Sequence, residues 1–389
     1  MTTTQEIMVR ESLHDSGTYP KREVAIVRGQ GAQVWDAEGR EYIDCTSGHG
    51  VAIVGHANPT VAEAIARQAH TLITCPGIFC NDQRAAFLEK LTSLAPRGLS
   101  RAFLSNSGTE AVEAALKLAR LATGRAGIVA TMRGFHGRTL GALSATWEKR
   151  YREPFEPLVP GFTHVPYDNL GAMEKTVGED TAAVIVEIVQ GEGGVRPGSG
   201  EYFRGLRELC DEQGALLIVD EVQTGFGRTG KLFACEHHRL SPDILCLGKG
   251  IAGGVPMGAT LFGDKVGKLP RGAHGSTFGG NPLACAAGLA ALDYIMREDL
   301  PGQAAEKGAY LLDRLRRIEA PVIREVRGLG LIVGIELRRR VQPYLIALME
   351  RGVLALPAGR TVLRLLPPLV ISQEELDTVI SALEEVLTG

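Results

Sequence analysis

An α/β fold with a mostly parallel central sheet is predicted by three observations. Short apolar runs alternate with amphipathic stretches, several runs end on a polar or charged residue, and glycines close the intervening helices. The first strands, residues 23–27, 32–36 and 42–45, are separated by turns at 29–31 and 38–39 and read as a small antiparallel meander. Buried strands follow at Arg101–Ser105, Gly127–Thr131, residues 182–189, Leu216–Asp220 and Ile244–Leu247. Between them lie helices over residues 110–122 and 202–213, which Gly124 and Gly214 end as C-terminal breakers. From about Ala291 the pattern becomes helix, strand (331–337), helix, strand (362–366) and a last amphipathic helix (373–387). The expected division is a large domain over 47–290 flanked by helices. Residues 1–46 and 291–389 would build a smaller α+β domain from both termini.

With 44% hydrophobic and 22% charged residues, the composition is that of a folded soluble protein. A formal net charge of -3 offers no cationic surplus for a nucleic acid backbone, so no nucleic-acid partner is expected. The N-terminal stretch is polar, and no apolar run approaches the ~18 residues of a membrane span. Neither a leader nor a membrane is therefore expected, and the cytoplasm is the expected location. The seven cysteines include no CxxC pair and are read as reduced, mostly buried thiols. Cys235-Glu236-His237-His238 contains ligand types, but adjacent helical residues diverge by about 100°, so no metal site is expected.

The chemistry centres on Asp220, which closes Leu216–Asp220, and Lys249, just beyond Ile244–Leu247. Both sit at the strand ends where ligands collect in an open α/β sheet. A lysine that forms an imine with a carbonyl cofactor, and a carboxylate that keeps a pyridine nitrogen protonated, are what pyridoxal phosphate needs from a protein. A phosphate cradle is offered by Ser107-Gly108-Thr109 at a helix start, although Ser107 or Thr109 also fits a plain helix cap. Phe135, in Gly134-Phe135-His136-Gly137-Arg138-Thr139, can stack on a flat ring, and Arg138 can hold a carboxylate; His136 reads as a core hydrogen-bonding residue. Glu192 lies among Gly191, Gly193 and Gly194, where it is either a surface residue or a cleft carboxylate needing a cation. Arg364, on an otherwise apolar strand, is either paired structurally or built to receive an anion. The loop from His274 to Pro282 offers Ser276 and Thr277 as further phosphate-reaching hydroxyls, although a plain capping loop before the following helix is the default reading.

Rival uses of the same residues fail on their motifs. A P-loop ATPase needs GxxxxGK[ST], but Gly250 follows Lys249 and residue 243 is aspartate. Gly328, Gly330 and Gly334 lie before and within a strand, not between a strand and a helix as dinucleotide binding requires, and there is no GxSxG elbow.

Assembled in order, residues 107–120, 134–139, 190–194, 218–230, 247–259, 275–282 and 364–371 resemble the class III (ω-amino) aminotransferases, of fold type I among pyridoxal 5'-phosphate enzymes, along nearly the whole chain. Val112, where asparagine is usual, and Ile188, where proline is usual, depart from the pattern. The resemblance implies that Lys249 is the Schiff-base lysine and proton carrier and that Asp220 pairs with the pyridinium nitrogen. It implies that Gln223 meets the ring hydroxyl and that Phe135 and Val222 sandwich the ring. Ser107, Gly108 and Thr109 would hold the phosphate, helped by Thr277 from the neighbouring subunit of a homodimer, with Glu221 also among the cofactor-binding residues.

For substrates, the resemblance implies that Arg138 takes a distal carboxylate, with Ser276 also substrate-binding, and that Arg364 takes the α-carboxylate of glutamate or 2-oxoglutarate. Glu192 would be a gate that masks Arg364 while a terminal amine is donated. Within the class, similarity leans to acetylornithine aminotransferases and to relatives acting on lysine held by a small acidic LysW-type carrier protein. Residues 26–31, 146–148, 151–155 and 323–328 carry that leaning. The implied activity is transfer of the terminal amine of an Nα-blocked basic amino acid to 2-oxoglutarate through the pyridoxamine form, in arginine or lysine biosynthesis. Ornithine or 4-aminobutyrate specificity and a non-catalytic cofactor-binding protein are the alternatives. Arg338-Arg339-Arg340 offers a basic rim for a carrier, or simply a solvated strand end.

Overall fold

A computed structural model describes residues 2–389. Its centre is a seven-stranded sheet in the order Arg101–Ser105, Gly258–Phe262, Ile244–Leu247, Leu216–Asp220, Thr181–Val186, Gly127–Thr131, Phe162–Val165. Only Gly258–Phe262 runs against its neighbours; the other strands are parallel. Both faces are covered, which is why the central strands read as unbroken apolar runs instead of alternating ones.

Helix Gly108–Thr123 shows how sequence sets position. Ala111, Ala114, Ala115, Leu118 and Ala119 share its buried face, and the small alanines bring the axis close to the sheet. Burying Leu118 contributes roughly 1.5–3 kcal/mol. The helix stops at Gly124, at φ 68°, and helix Gly200–Gln213 stops at Gly214, at φ 64°, left-handed conformations that glycine adopts without a Cβ clash.

Two further four-stranded sheets stand beside the large one. The N-terminal meander, Ile26–Gln30, Gln33–Asp36 and Glu41–Asp44, is completed by Val353–Leu354 from near the C-terminus, parallel to Glu41–Asp44. The last sheet orders Ile323–Leu329, Ile332–Leu337, Val362–Leu365 and Leu356–Ala358 antiparallel.

Several expected boundaries are corrected. The strand expected over 182–189 leaves the sheet at Val186, because the buried Glu187 carboxylate turns to accept the Phe135 N–H; Val189–Gln190 then pairs with Arg196–Pro197. The first meander strand begins at Ile26, three residues later than expected, and continues through the anticipated turn to Gln30. Strands Phe162–Val165, Gly258–Phe262 and Ile323–Leu329 and the capped N-terminal helix Thr4–Ser12 were not anticipated. No helix among the described residues is long and apolar enough to cross a membrane.

Candidate active site

Asp220 and Cys246 are register partners on adjacent parallel strands, so Asp220 and Lys249 emerge at the same sheet edge. The loops carrying residues 106–109, 133–139 and 187–194 leave strands that end at this edge too. Five chain segments distant in sequence thus converge on one cleft, as the topology of an open α/β sheet requires.

Lys249 follows an extended Gly248 and adopts φ 46°, an uncommon conformation for a residue with a side chain. Its amino group has no hydrogen-bond or ion-pair partner among the described residues. Burial pushes the amine down to about 8, with the nearby Glu192 carboxylate opposing the shift. Asp220 is 5% exposed; its Oδ1 accepts the Val222 N–H at 3.0 Å and its Oδ2 lies 2.7 Å from His136 Nδ1. Burial, the largest single influence, works against charge on His136, but the Asp220 hydrogen bond together with the charges of Asp220 and Glu187 outweighs it and raises the imidazole above its ordinary value. His136 is therefore a partner of the site that sequence reasoning left in the core. Its spacing two residues from Arg138 gave no hint of a bond to residue 220.

Steric contact explains the glycines. A Cβ on Gly108 would lie 2.5 Å from Val222 Cγ1, and one on Gly248 would lie 3.1 Å from Gly108 Cα. The Gly108 and Gly248 backbones therefore pack on each other and on the Val222 side chain, beside the first-turn N–H groups of the helix beginning at Gly108. Ser107 caps that helix by accepting the Glu110 N–H at 3.3 Å, while Thr109 Oγ1 accepts the Arg138 N–H at 3.3 Å and contacts Thr139 Oγ1 at 2.9 Å.

Arg364 is 1% exposed and lies opposite Glu192, Nη2 to Oε1 2.6 Å, while its Nη1 donates to Gln223 Oε1 at 3.1 Å. Burial opposes ionisation of Glu192, but the Arg364 and Lys249 charges hold its carboxyl below the ordinary range. Arg138 is exposed and forms no ion pair among the described residues; its guanidinium carbon sits 3.5 Å from the centre of the Tyr151 ring. Arg150 packs on the same ring at 4.6 Å and donates to its hydroxyl at 2.7 Å. A cavity of about 250 Å³ opens here, lined among others by Arg133, Phe135, Trp147, Arg150, Tyr151 and Glu192.

Three expected residues stand outside this cluster. Glu221 is fully buried and accepts the N–H groups of Ala234 and Cys235 at 2.6 and 2.8 Å, so its carboxylate holds the following loop. Ser276 Oγ accepts from Asn106 Nδ2 at 3.2 Å, and Thr277 lies exposed on the outer surface of the same loop. In the Cys235-Glu236-His237-His238 segment, Glu236 accepts the Phe233 N–H and His237 Nε2 meets Thr229.

The family model described as "Aminotransferase class-III" matches residues 16–387. The chain belongs to this family. A [LysW]-aminoadipate semialdehyde transaminase of Deinococcus radiodurans is 53% identical over 386 residues, 98% of this chain and 90% of the relative. An acetylornithine aminotransferase of Methanopyrus kandleri is 50% identical over 373 residues, 95% of this chain and 96% of the relative. Among solved structures, an ornithine aminotransferase from Toxoplasma gondii superposes with a TM-score of 0.96 at 36% identity, covering 99% of this chain and 94% of that one. The acetylornithine aminotransferase of Elizabethkingia anophelis gives 0.87 at 34% identity, covering 100% and 99%.

This class III aminotransferase has the fold type I architecture and depends on pyridoxal phosphate. Its residues fit that cofactor: a partnerless amine with a lowered pKa for the aldehyde, a buried carboxylate for the ring nitrogen, and a helix start with Gly108 between two hydroxyl residues for the phosphate.

Proposed function

We propose that this enzyme transfers the terminal amine of a basic amino acid whose α-amine is blocked, with 2-oxoglutarate and glutamate as the second substrate pair. The observation that carries the reading is the contrast between two arginines. Arg364, whose charge acts on Lys249, is masked by Glu192, whereas Arg138 is exposed and has no ion pair among the described residues. A donor held by its carboxylate at Arg138 must present its far end to Lys249, which selects a terminal amine. Glutamate presents its α-amine only when its α-carboxylate replaces Glu192 at Arg364.

Bound in this cleft, pyridoxal phosphate supplies the carbonyl that takes up the amine and the ring that stabilises negative charge at the reacting carbon. Lys249 Nζ holds the cofactor and then moves the proton at that carbon. Asp220, fixed by His136, holds the proton on the ring nitrogen. Phe135 and Val222 cover the two ring faces, Gln223 meets the ring hydroxyl, and Ser107, Gly108 and Thr109 bind the phosphate. Thr277 reaches the phosphate of a partner in a homodimer, and Ser276 lies on the substrate side.

The relatives' names support acetylornithine or carrier-linked substrates in arginine or lysine biosynthesis, aminoadipate semialdehyde being the aldehyde counterpart of lysine. Arg133 and Arg150 line the cavity, and Arg150 shares the Tyr151 ring with Arg138, so an acidic carrier protein would meet several cations there. Cytoplasmic location and the division into a large domain over 47–290 and a smaller one over 1–46 and 291–389 belong to the same proposal.

Competition among acetylornithine, free ornithine and carrier-linked lysine tests it. Each is mixed with the enzyme while the visible absorbance of the bound cofactor is followed. A blocked donor is expected to discharge the absorbance at least about tenfold more efficiently than free ornithine. Preference for free ornithine or 4-aminobutyrate would overturn the substrate assignment.

A further inference from the structure

The loop carrying Glu192 is gripped from behind. Arg327, 7% exposed, donates through Nε to the carbonyls of Gly194 and Val195 at 2.9 and 3.1 Å, and through Nη2 to Gly194 again at 2.6 Å. Its Nη1 meets Glu336 Oε2 at 2.6 Å, and Glu336 is also bound by Arg196 at 3.0 Å and Arg324 at 3.1 Å. Nη1 also meets Glu325 Oε2 at 2.5 Å, and a buried arginine spending three N–H contacts on two carbonyls is a rigid attachment.

The segment so held is strained. Val195 adopts φ 53°, left-handed for a β-branched residue, and is wholly buried. Such a conformation persists only where surrounding contacts over-determine it, and it is common at switch regions. Gly334 makes room for it, since a Cβ there would lie 2.9 Å from Val195 Cβ; Gly334 is also the register partner of Arg364. One strand pair therefore sets both halves of the Glu192–Arg364 contact. Between Glu192 and Gly194, a Cβ on Gly193 would lie 2.6 Å from the Arg133 carbonyl oxygen, and before Glu192 the Gln190 amide donates to Thr131 Oγ1 at 3.0 Å and to the Met132 carbonyl at 2.9 Å, so the loop backbone is held on both sides of Glu192.

We infer that Arg327, oriented by Glu336, is a positioning residue for Glu192: it pins the backbone at Gly194–Val195 and confines switching to rotation of the Glu192 side chain. This rests on the gate proposed above. Weakening the anchor lets Glu192 drift from Arg364, and a blocked donor then docks its α-carboxylate on the wrong arginine, with its acylated nitrogen at the reacting position. Glutamate gains or keeps its access.

The two half-reactions, measured separately by rapid mixing with acetylornithine or glutamate, test the inference. Arg327→Lys is expected to lower kcat/KM for acetylornithine by about tenfold while glutamate changes by less than about twofold. Glu192→Gln is expected to shift the same ratio, and the double variant to shift it no further. Parallel loss of both half-reactions with cofactor retained, or an unchanged ratio, overturns the anchor. If Arg327→Lys does not fold, Glu336→Gln decides by the same ratio. A ratio unmoved by Glu192→Gln removes the gate itself, whereas a ratio moved by Glu192→Gln but not by Arg327→Lys removes only the anchor.

Discussion

Lys249 owes its depressed amine to burial among charges that partly cancel. Because the neutral amine captures an aldehyde, cofactor uptake by the apoprotein is expected to rise with pH around a midpoint near 8, well below the ordinary lysine value. A midpoint near that ordinary value, measured by absorbance on adding pyridoxal phosphate, would contradict this environment. Lys249→Ala is expected to lower turnover at least ~10²–10⁴-fold and to abolish the borohydride-fixed cofactor adduct seen by mass spectrometry. At this scale Asp220, Lys249 and Arg364 were legible in the sequence as charges against apolar runs. His136 was not, since its meaning lies in a bond across 84 positions. Nor was the Glu221 contact legible: adjacent strand-end residues point opposite ways, so beside Asp220 it meets the backbone of residues 234–235.

Among the elements, the meeting of Gly108, Val222 and Gly248 makes a sharp demand. Gly108→Ala brings a methyl within 2.5 Å of Val222, and the expected result is weaker cofactor binding, by about tenfold, with partial recovery in Gly108→Ala/Val222→Ala. Equilibrium dialysis of cofactor from both variants checks it; unchanged affinity in Gly108→Ala would show that the loops yield. Helix ends were readable because capping chemistry is local, as at Gly124 and Gly214. The end of Thr181–Val186 was not. An apolar pattern cannot reveal that Glu187 turns inward to meet Phe135, or that Gly258–Phe262, opening on a small residue, inserts antiparallel between two strands.

Across the whole molecule, buried carboxyls tie stability to pH. Burial pushes Glu187 from 4.5 up to about 7, so its favourable contribution is present below the lower value and lost as pH rises through the upper one. Glu187→Gln, which can still accept the Phe135 N–H, is expected to raise the melting temperature more on the alkaline side of this window than on the acidic side. Equal shifts across the window would argue against a titrating Glu187. A second whole-molecule expectation concerns assembly. Ile78, Phe79 and Phe278 are 85%, 61% and 61% exposed, and Arg84 joins the loops that bear them by donating to the carbonyls of Phe79 and Gly280. In the proposed homodimer this apolar surface is covered. Phe79→Asp/Phe278→Asp is expected to shift the protein to the monomer mass in sedimentation and to weaken cofactor retention. The overall α/β arrangement was legible from period and breakers, whereas a homodimer was implied only by the family resemblance, because exposed apolar loop residues carry no periodic signal.

The Glu192–Arg364 pair also has a kinetic meaning in the proposed reaction. A carboxylate tethered beside its own arginine acts as a built-in competitor at a high effective concentration. Free glutamate must displace it, so apparent affinity for glutamate reports the strength of an internal contact as much as the fit of the pocket.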